Sequence, residues 1–288
     1  MTDELKTLAK NLKISDLGIV RAEVFSDLCL DLHTKNPSEF VREAPEERAD
    51  PFLIMEDAKS LIVCVFSYNN HEKGEISKYA MGKDYHQVVR EKLLKLSRPL
   101  LDKGFKAEVF ADSWSMCERY LAQKAGLGFV GKNHMFISEK AGSFVFIGVI
   151  VTDCDLKPTK PKNTMCIGCG ECIKNCPGKA LKTDGSFEEK NCVSYISQKK
   201  GELNEREKNA LIKSGKIWGC DICQEVCPHN QNVPISEIEE FTKNLITSLE
   251  IDENMSNREF KRLYADRAFS WRGLAPILRN KKIFSLRK

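Results

Sequence analysis

No stretch of this 288-residue chain is apolar for long enough to cross a membrane. Its longest run, Phe144 to Val151, falls far short of the roughly 20 residues that a spanning helix needs. Residues 1–13 lack a basic segment followed by an apolar one and alternate Lys, Asp and Glu with single apolar residues, which excludes a secretory signal. No internal repeat of solenoid length is present. The net charge is only +4, too mild to argue for nucleic acid by itself, and 42% apolar with 30% charged residues excludes disorder as the main state. Nor are the 12 cysteines spread along the chain as in a bridge-stapled secreted domain. These absences predict a soluble cytoplasmic protein with no membrane partner. In such a reducing compartment clustered cysteines bind metal more often than they form disulfides.

The cysteines that are present are uneven: eight of them fall between Cys166 and Cys227. Cys166, Cys169, Cys172 and Cys176, followed by Pro177, read C-x2-C-x2-C-x3-C-P, the bacterial ferredoxin run in which the fourth thiolate leaves for a second cluster. Four-ligand zinc sites usually come as separated pairs of close cysteines, so the run favours iron–sulfur over zinc. Cys220, Cys223, Cys227 and Pro228 give the same pattern one ligand short. Two [4Fe-4S] cubes need about eight thiolates. Cys192 supplies the missing one most economically, and Cys154, which precedes the expected linker, is the alternative. Crossed ligation then assigns Cys166, Cys169, Cys172 and Cys227 to one cube and Cys176, Cys192, Cys220 and Cys223 to the other. Cys64 in an apolar strand and Cys117 in a helix read as buried thiols, while Cys29 and Cys154 have no pattern around them.

Upstream, strand-like runs at 17–20, 60–68, 107–111 and 143–152 alternate with helical spacing over 84–101, which Gly104 should stop, giving an α/β pattern. The polar, twice proline-interrupted segment Lys157 to Lys162 reads as a linker. The expected domains are therefore 1–156, an α/β domain; 157–235, a ferredoxin-like double-cluster domain; and 236–288, a basic, mostly helical segment packing back on the core. From Arg258 to Lys288 there are ten Lys/Arg against two acids, a local +8 that leaves −4 for the rest. This is either a polyanion footprint or a solvated helix face.

Several segments resemble the epoxyqueuosine reductases, cobalamin-dependent iron–sulfur enzymes that finish queuosine at the tRNA wobble position. They are Tyr79-Ala80-Met81-Gly82-Lys83-Asp84-Tyr85-His86, the glycine-rich stretch Ala125 to Asn133, and Ala141-Gly142-Ser143-Phe144 running to Thr152-Asp153. After the linker come the cysteine run, Cys192-Val193-Ser194-Tyr195 and Gly219 to Pro228. The likeness spans about residues 10 to 280 and implies a reductive-dehalogenase-like cobalamin domain joined to the ferredoxin-like domain. It implies electrons passing through the clusters to cobalamin, cob(I)alamin acting on the epoxide of a modified wobble guanine in tRNA, and a carboxylic acid donating a proton.

The family's acid falls here on Asp112, after the strand 107–111 and at the kind of edge where open α/β sheets place ligands. A helix cap is the other reading, but Ser115-Met116-Cys117-Glu118 is itself an S-x-x-E capping box, which makes Ser115 the expected N-cap. For cobalamin contacts the resemblance implies Arg48, Lys132, Asn133, His134, Ser143, Phe146, Ile147, Gly148 and Ser194. Arg48 could equally make a surface ion pair, and Phe146 and Ile147 would be core in any reading. The cobalt-ligating D-x-H-x-x-G signature is absent; Asp31-Leu32-His33-Thr34-Lys35-Asn36 comes close but lacks the glycine, so base-off cobalamin without a histidine ligand is implied.

The chain departs from the family at Ser113-Trp114-Ser115, where a proline is usual, at His134, where threonine is usual, and in stopping at Lys288 without the usual HEAT-like repeat. Lys281, Lys282, Arg287 and Lys288 are the natural phosphate contacts. A low-potential electron donor and a monomeric enzyme complete the expectation. The competing readings are a dehalogenase-like corrinoid reductase with another substrate and a plain electron-transfer protein.

Overall fold

The computed structural model describes residues 1–34, 41, 43–112, 115–252 and 254–285. The chain divides into two compact units built from interleaved segments, where the sequence reading expects consecutive ones. The first comprises Met1–Ser67, His86–Gly131 and Met135–Cys166; the second comprises Tyr68–Tyr85, Lys132–His134 and Ile167–Lys288.

The first unit is a layered helix-and-sheet body. In chain order it holds α1 (Thr2–Asn11), β1 (Asp16–Arg21), α2 (Ser26–His33) and β2 (Ser60–Ser67). After α3 (Lys78–Met81), which belongs to the second unit, come α4 (Tyr85–Asp102), β3 (Ala107–Phe110), α5 (Glu118–Lys124), β4 (Gly128–Val130), β5 (Phe136–Ser138) and β6 (Val145–Thr152). The main sheet has the order β1-β2-β6-β3, with every neighbour antiparallel. It is therefore not a doubly wound sheet, although helices cover both faces.

Strand β2, reading SLIVCVFS, is buried at every residue because it has a strand on each side and a helical layer on each face. Leu61, Val63 and Val65 pack with Val149, Val151 and the α5 residues Leu121 and Ala122. The opposite face meets α4. At Gly148 a Cβ would lie 2.7 Å from Val89 and 2.8 Å from Leu93, so helix and sheet approach closely only because this position has no side chain. Helix α4 forms where expected, with Val88, Val89, Leu93, Leu96 and Leu100 buried at helical spacing. Gly104, at φ +85°, closes the segment.

The expected linker is docked on the first unit. The Thr159 N–H donates to the Ile19 carbonyl at 2.9 Å, its hydroxyl oxygen accepts from the Ile19 N–H at 3.0 Å and the hydroxyl donates to the Ala125 carbonyl at 2.6 Å, covering the outer edge of β1. Gly126, at φ +71°, has a conformation and a clearance that suit glycine alone, since a Cβ there would lie 2.3 Å from the Lys160 carbonyl oxygen.

The second unit is mostly helical: α3 with α6 (Glu171–Asn175), α7 (Val193–Gln198), α8 (Glu205–Ser214), α9 (Ile222–Glu225), α10 (Asn257–Leu263) and α11 (Leu274–Ser285). The start of α8 carries a complete Asn204/Glu207 capping box. One core gathers Ile76, Met81, Trp218, Phe260, Phe269 and Ile277, and a smaller one gathers Val193, Ile196, Leu211 and Ile283. The basic C-terminal segment is thus part of the cysteine-bearing unit rather than an appendage. Arg279 donates to the carbonyls of Ile196, Lys199 and Gly201, closing the exposed end of α7. Buried Asn280 donates to the Ser197 and Ile217 carbonyls.

Candidate functional site

In the first unit the site grows from the end of an edge strand. Strand β3 pairs with β6 from Ala107↔Thr152 to Phe110↔Val149 and then leaves the sheet, so the β6 segment Phe146, Ile147, Gly148 runs on without a β3 partner. Asp112 stands at this departure point with φ +53°, a left-handed conformation that is costly for a residue with a Cβ. Its carboxylate lies 3.6 Å from Nε2 of His86, in the first turn of α4, and both side chains are substantially exposed, at 62% and 42%. Arg90, one turn on, donates to the Val109 carbonyl at 3.2 Å and ties the helix to the strand that carries the acid.

The chain after Asp112 is held from another side. Arg48 donates from Nε to the Ser115 carbonyl at 3.3 Å and from Nη2 to the Cys117 sulfur at 2.9 Å. The expected capping box does not form: α5 starts at Glu118 with Cys117 as its N-cap, and no side chain caps it. Arg48 organises this loop instead, because its planar fork can reach two acceptors at once. Burial pushes the Cys117 thiol up, against the pull of Arg48. Ser113 and Trp114 lie outside the described residues. Of the other expected contacts in this unit, Ser143 is fully buried, Phe146 nearly so, Ile147 packs on the core, and Gly148 serves the α4 contact.

The second unit assembles the cysteines. Cys176, Cys192 and Cys223 pack with Cys172, Ala180 and Leu181. Burial pushes the Cys220 thiol up to about 12 and those of Cys192 and Cys223 upward, and charge on Cys176 adds to the rise at each of them. The four thiols that the sequence reading expects on one cube thus lie within electrostatic reach of one another. Cys154, in the first unit, is raised by burial and by Asp153 and Asp155, with no cysteine among the causes. Cys169, Cys172 and Cys227 also lie in the second unit, while Cys166 is the last residue of the first. No cysteine is disulfide-bonded. Soft thiolates in the ferredoxin spacing, four of them within electrostatic reach of one another, suit iron–sulfur clusters.

Lys132 and Asn133 serve this assembly. The Lys132 ammonium lies 3.9 Å from where a Cβ on Gly168 would stand, and buried Asn133 donates to the Cys223 carbonyl at 3.3 Å. His134, at φ +60°, hydrogen-bonds the Gly185 carbonyl at 3.0 Å and stacks on Phe187, so its ring is engaged by packing partners. Ser194, in the first turn of α7, accepts at its carbonyl from Ser197 and Gln198.

Sequence reasoning missed the support beneath the Cys220–Cys223 loop. Asp221 is fully buried and accepts from the Ser77 hydroxyl at 2.5 Å and the Lys78 backbone N–H at 2.9 Å, with Lys216 at 3.4 Å. It fastens the segment before α3 to the cysteine loop. An acid between two cysteine ligands was the available signal. Lys281, expected on phosphate, is turned inward to the Leu249 carbonyl and Glu75. Lys282 is exposed, and Arg287 and Lys288 lie outside the described residues.

Two family models match: "Epoxyqueuosine reductase QueG, DUF1730" over residues 48–113 and "4Fe-4S double cluster binding domain" over residues 165–230. A Lactococcus garvieae protein named epoxyqueuosine reductase is 34% identical over 305 aligned positions, covering 97% of this chain and 85% of its own. A crystal structure of epoxyqueuosine reductase with a tRNA-Tyr epoxyqueuosine-modified stem loop superposes with a TM-score of 0.89 at 29% identity, covering 98% of this chain and 80% of that one. A catabolic reductive dehalogenase matches at a TM-score of 0.51 and 16% identity, over 82% of this chain and 32% of its own, a likeness of fold alone.

Proposed function

Because this chain belongs to the epoxyqueuosine reductase family, we propose that it reduces epoxyqueuosine to queuosine in tRNA, with Asp112 as the proton donor. The observation that carries the residue assignment is the left-handed Asp112 at the open end of β3 with its carboxylate facing His86. Backbone strain of this kind persists where the surroundings hold it, and here the carboxylate stands 3.6 Å from His86 Nε2.

The reaction takes two electrons and two protons: the epoxide C–O bonds break, an alkene forms and the oxygen leaves as water. Asp112 gives a proton to the departing oxygen, and His86, beside it and open to solvent, passes a solvent proton back to the carboxyl, so that the second proton of the water follows the same route. Arg48 keeps the following loop in place through Ser115 and Cys117. Cobalamin held there would supply the low-valent reductant for the epoxide, and the eight cysteines assigned above would hold two [4Fe-4S] cubes able to supply electrons. Ser143 and the β6 segment at Phe146 and Ile147, which runs on past the end of the β3 pairing, are the first-unit residues that the family resemblance assigns to the corrin. A low-potential donor feeds the clusters of a monomeric cytoplasmic enzyme. No helix among the described residues is long and apolar enough to cross a membrane.

The test is anaerobic reconstitution with iron, sulfide and cobalamin, followed by nucleoside analysis of tRNA carrying epoxyqueuosine. Wild type forms queuosine. Asp112→Asn keeps iron and cobalamin and loses turnover by about 100-fold or more. Cobalamin binding with no queuosine formed by wild type would reject the substrate, and full turnover by the variant would reject the acid.

A further inference from the structure

Outside the reductase machinery one group of side chains combines three ligand types. Cys29 and His33 lie four residues apart on α2 and so share one face of that helix. Glu46 reaches the same point from the turn that follows, and its carboxylate Oε1 lies 2.8 Å from His33 Nε2. The Cys29 sulfur, a His33 ring nitrogen and a Glu46 oxygen all lie within 4.8 Å of one another. Cys29 is half-buried, whereas His33 and Glu46 are exposed, so a solvent-borne ion has access.

We propose that Cys29, His33 and Glu46 form a binding site for a zinc-like divalent cation, with water as the fourth ligand. One thiolate, one imidazole and one carboxylate suit a borderline-soft ion that takes four ligands and tolerates mixed donors. Magnesium and calcium, which want oxygen, are disfavoured by the sulfur and the imidazole. The ion takes the place of the hydrogen bond between His33 and Glu46, and binding releases the Cys29 proton. This gives His33, near-match to a cobalt-ligand signature, a metal of a different kind, and gives Cys29 the partners that the sequence alone does not suggest. The bound ion acts as a clip between the last turn of α2 and the turn containing Arg48. Only a clip is required of it, and the reductase reaction does not pass through it.

The experiment uses enzyme with both clusters loaded, so that the cluster thiolates are occupied. Zinc is added after dialysis against a chelator and measured by competition with a chromophoric zinc indicator, and zinc-edge X-ray absorption reads the ligands. The expected result is about one zinc per chain, a shell with one sulfur near 2.3 Å and lighter N/O neighbours, and a thermal midpoint raised by zinc. Cys29→Ser removes the sulfur from the shell, and it and His33→Gln each weaken binding about tenfold or more while iron content and queuosine formation stay at wild-type levels. His33 is exposed, so its variant remains informative if Cys29→Ser folds poorly. No stoichiometric zinc in wild type, unchanged affinity in both variants, or a shell of several sulfurs would each overturn the site.

Discussion

The acid and its neighbour act as a pair, and the pair is where single substitutions should separate chemistry from structure. Asp112 and His86 are both exposed, so their 3.6 Å approach carries little folding energy. In the proposed mechanism its value is orientation and proton supply. His86→Ala is expected to lower kcat about tenfold with KM for the tRNA nearly unchanged, and with iron and cobalamin binding intact; a rise in KM alone would place His86 in substrate binding instead. Asp221 is the opposite case. It is fully buried against Lys216, Ser77 and the Lys78 N–H, so Asp221→Ala leaves a buried ammonium without its counter-charge. A loss of about 3–5 kcal/mol is expected from that, seen as a lowered urea midpoint together with loss of iron from the second cube. Retention of full stability would mean that Lys216 finds another partner.

At the level of elements, the helix and strands with strong periodicity lie within two residues of where the sequence puts them, because a buried face must repeat at the period of its element. The start of α5 does not. The S-x-x-E pattern is a local signal, and it lost to Arg48, which comes from residue 48 and takes the Ser115 carbonyl and the Cys117 sulfur. Likewise Gly148 reads as a place for a ligand to approach, whereas the structure uses it for the passage of α4 over β6. Gly148→Ala should overpack Val89 and Leu93 and cost about 1–3 kcal/mol in chemical denaturation, with cluster absorption unchanged. If it instead abolished cobalamin binding at unchanged stability, the ligand role would stand.

Across the whole molecule the division of the cysteines can be counted. Cys192→Ser should cost the second cube, halving the iron from about eight to about four per chain, whereas Cys154→Ser should retain all of it. The reverse outcome would exchange the two. The basic C-terminal segment is also divided: Arg279 and Lys281 are committed to carbonyls of the fold, while Arg258, Lys261, Arg262 and Lys282 are exposed. Binding of tRNA should weaken steeply with salt, and Lys282→Ala should reduce the slope of log K against log salt by about one. Lys281→Ala should act on stability rather than on that slope.

The residue types and spacings of the cysteines and the buried strands were enough to predict two iron–sulfur clusters and an α/β domain, and the motif order carried the family resemblance that implied the reaction, since thiolate spacing on a tight loop and the period of a buried face are local properties carried by consecutive residues. What only the tertiary structure decided was which distant groups meet. Cys192 joining Cys176, Cys220 and Cys223, Asp221 seated on Lys216, Arg48 bracing the loop after Asp112, and Cys29 with His33 beside Glu46 each depend on backbone paths that bring separated segments together. No local pattern encodes those paths: they follow from the burial of whole faces, and a polar group is satisfied by whatever that burial sets against it.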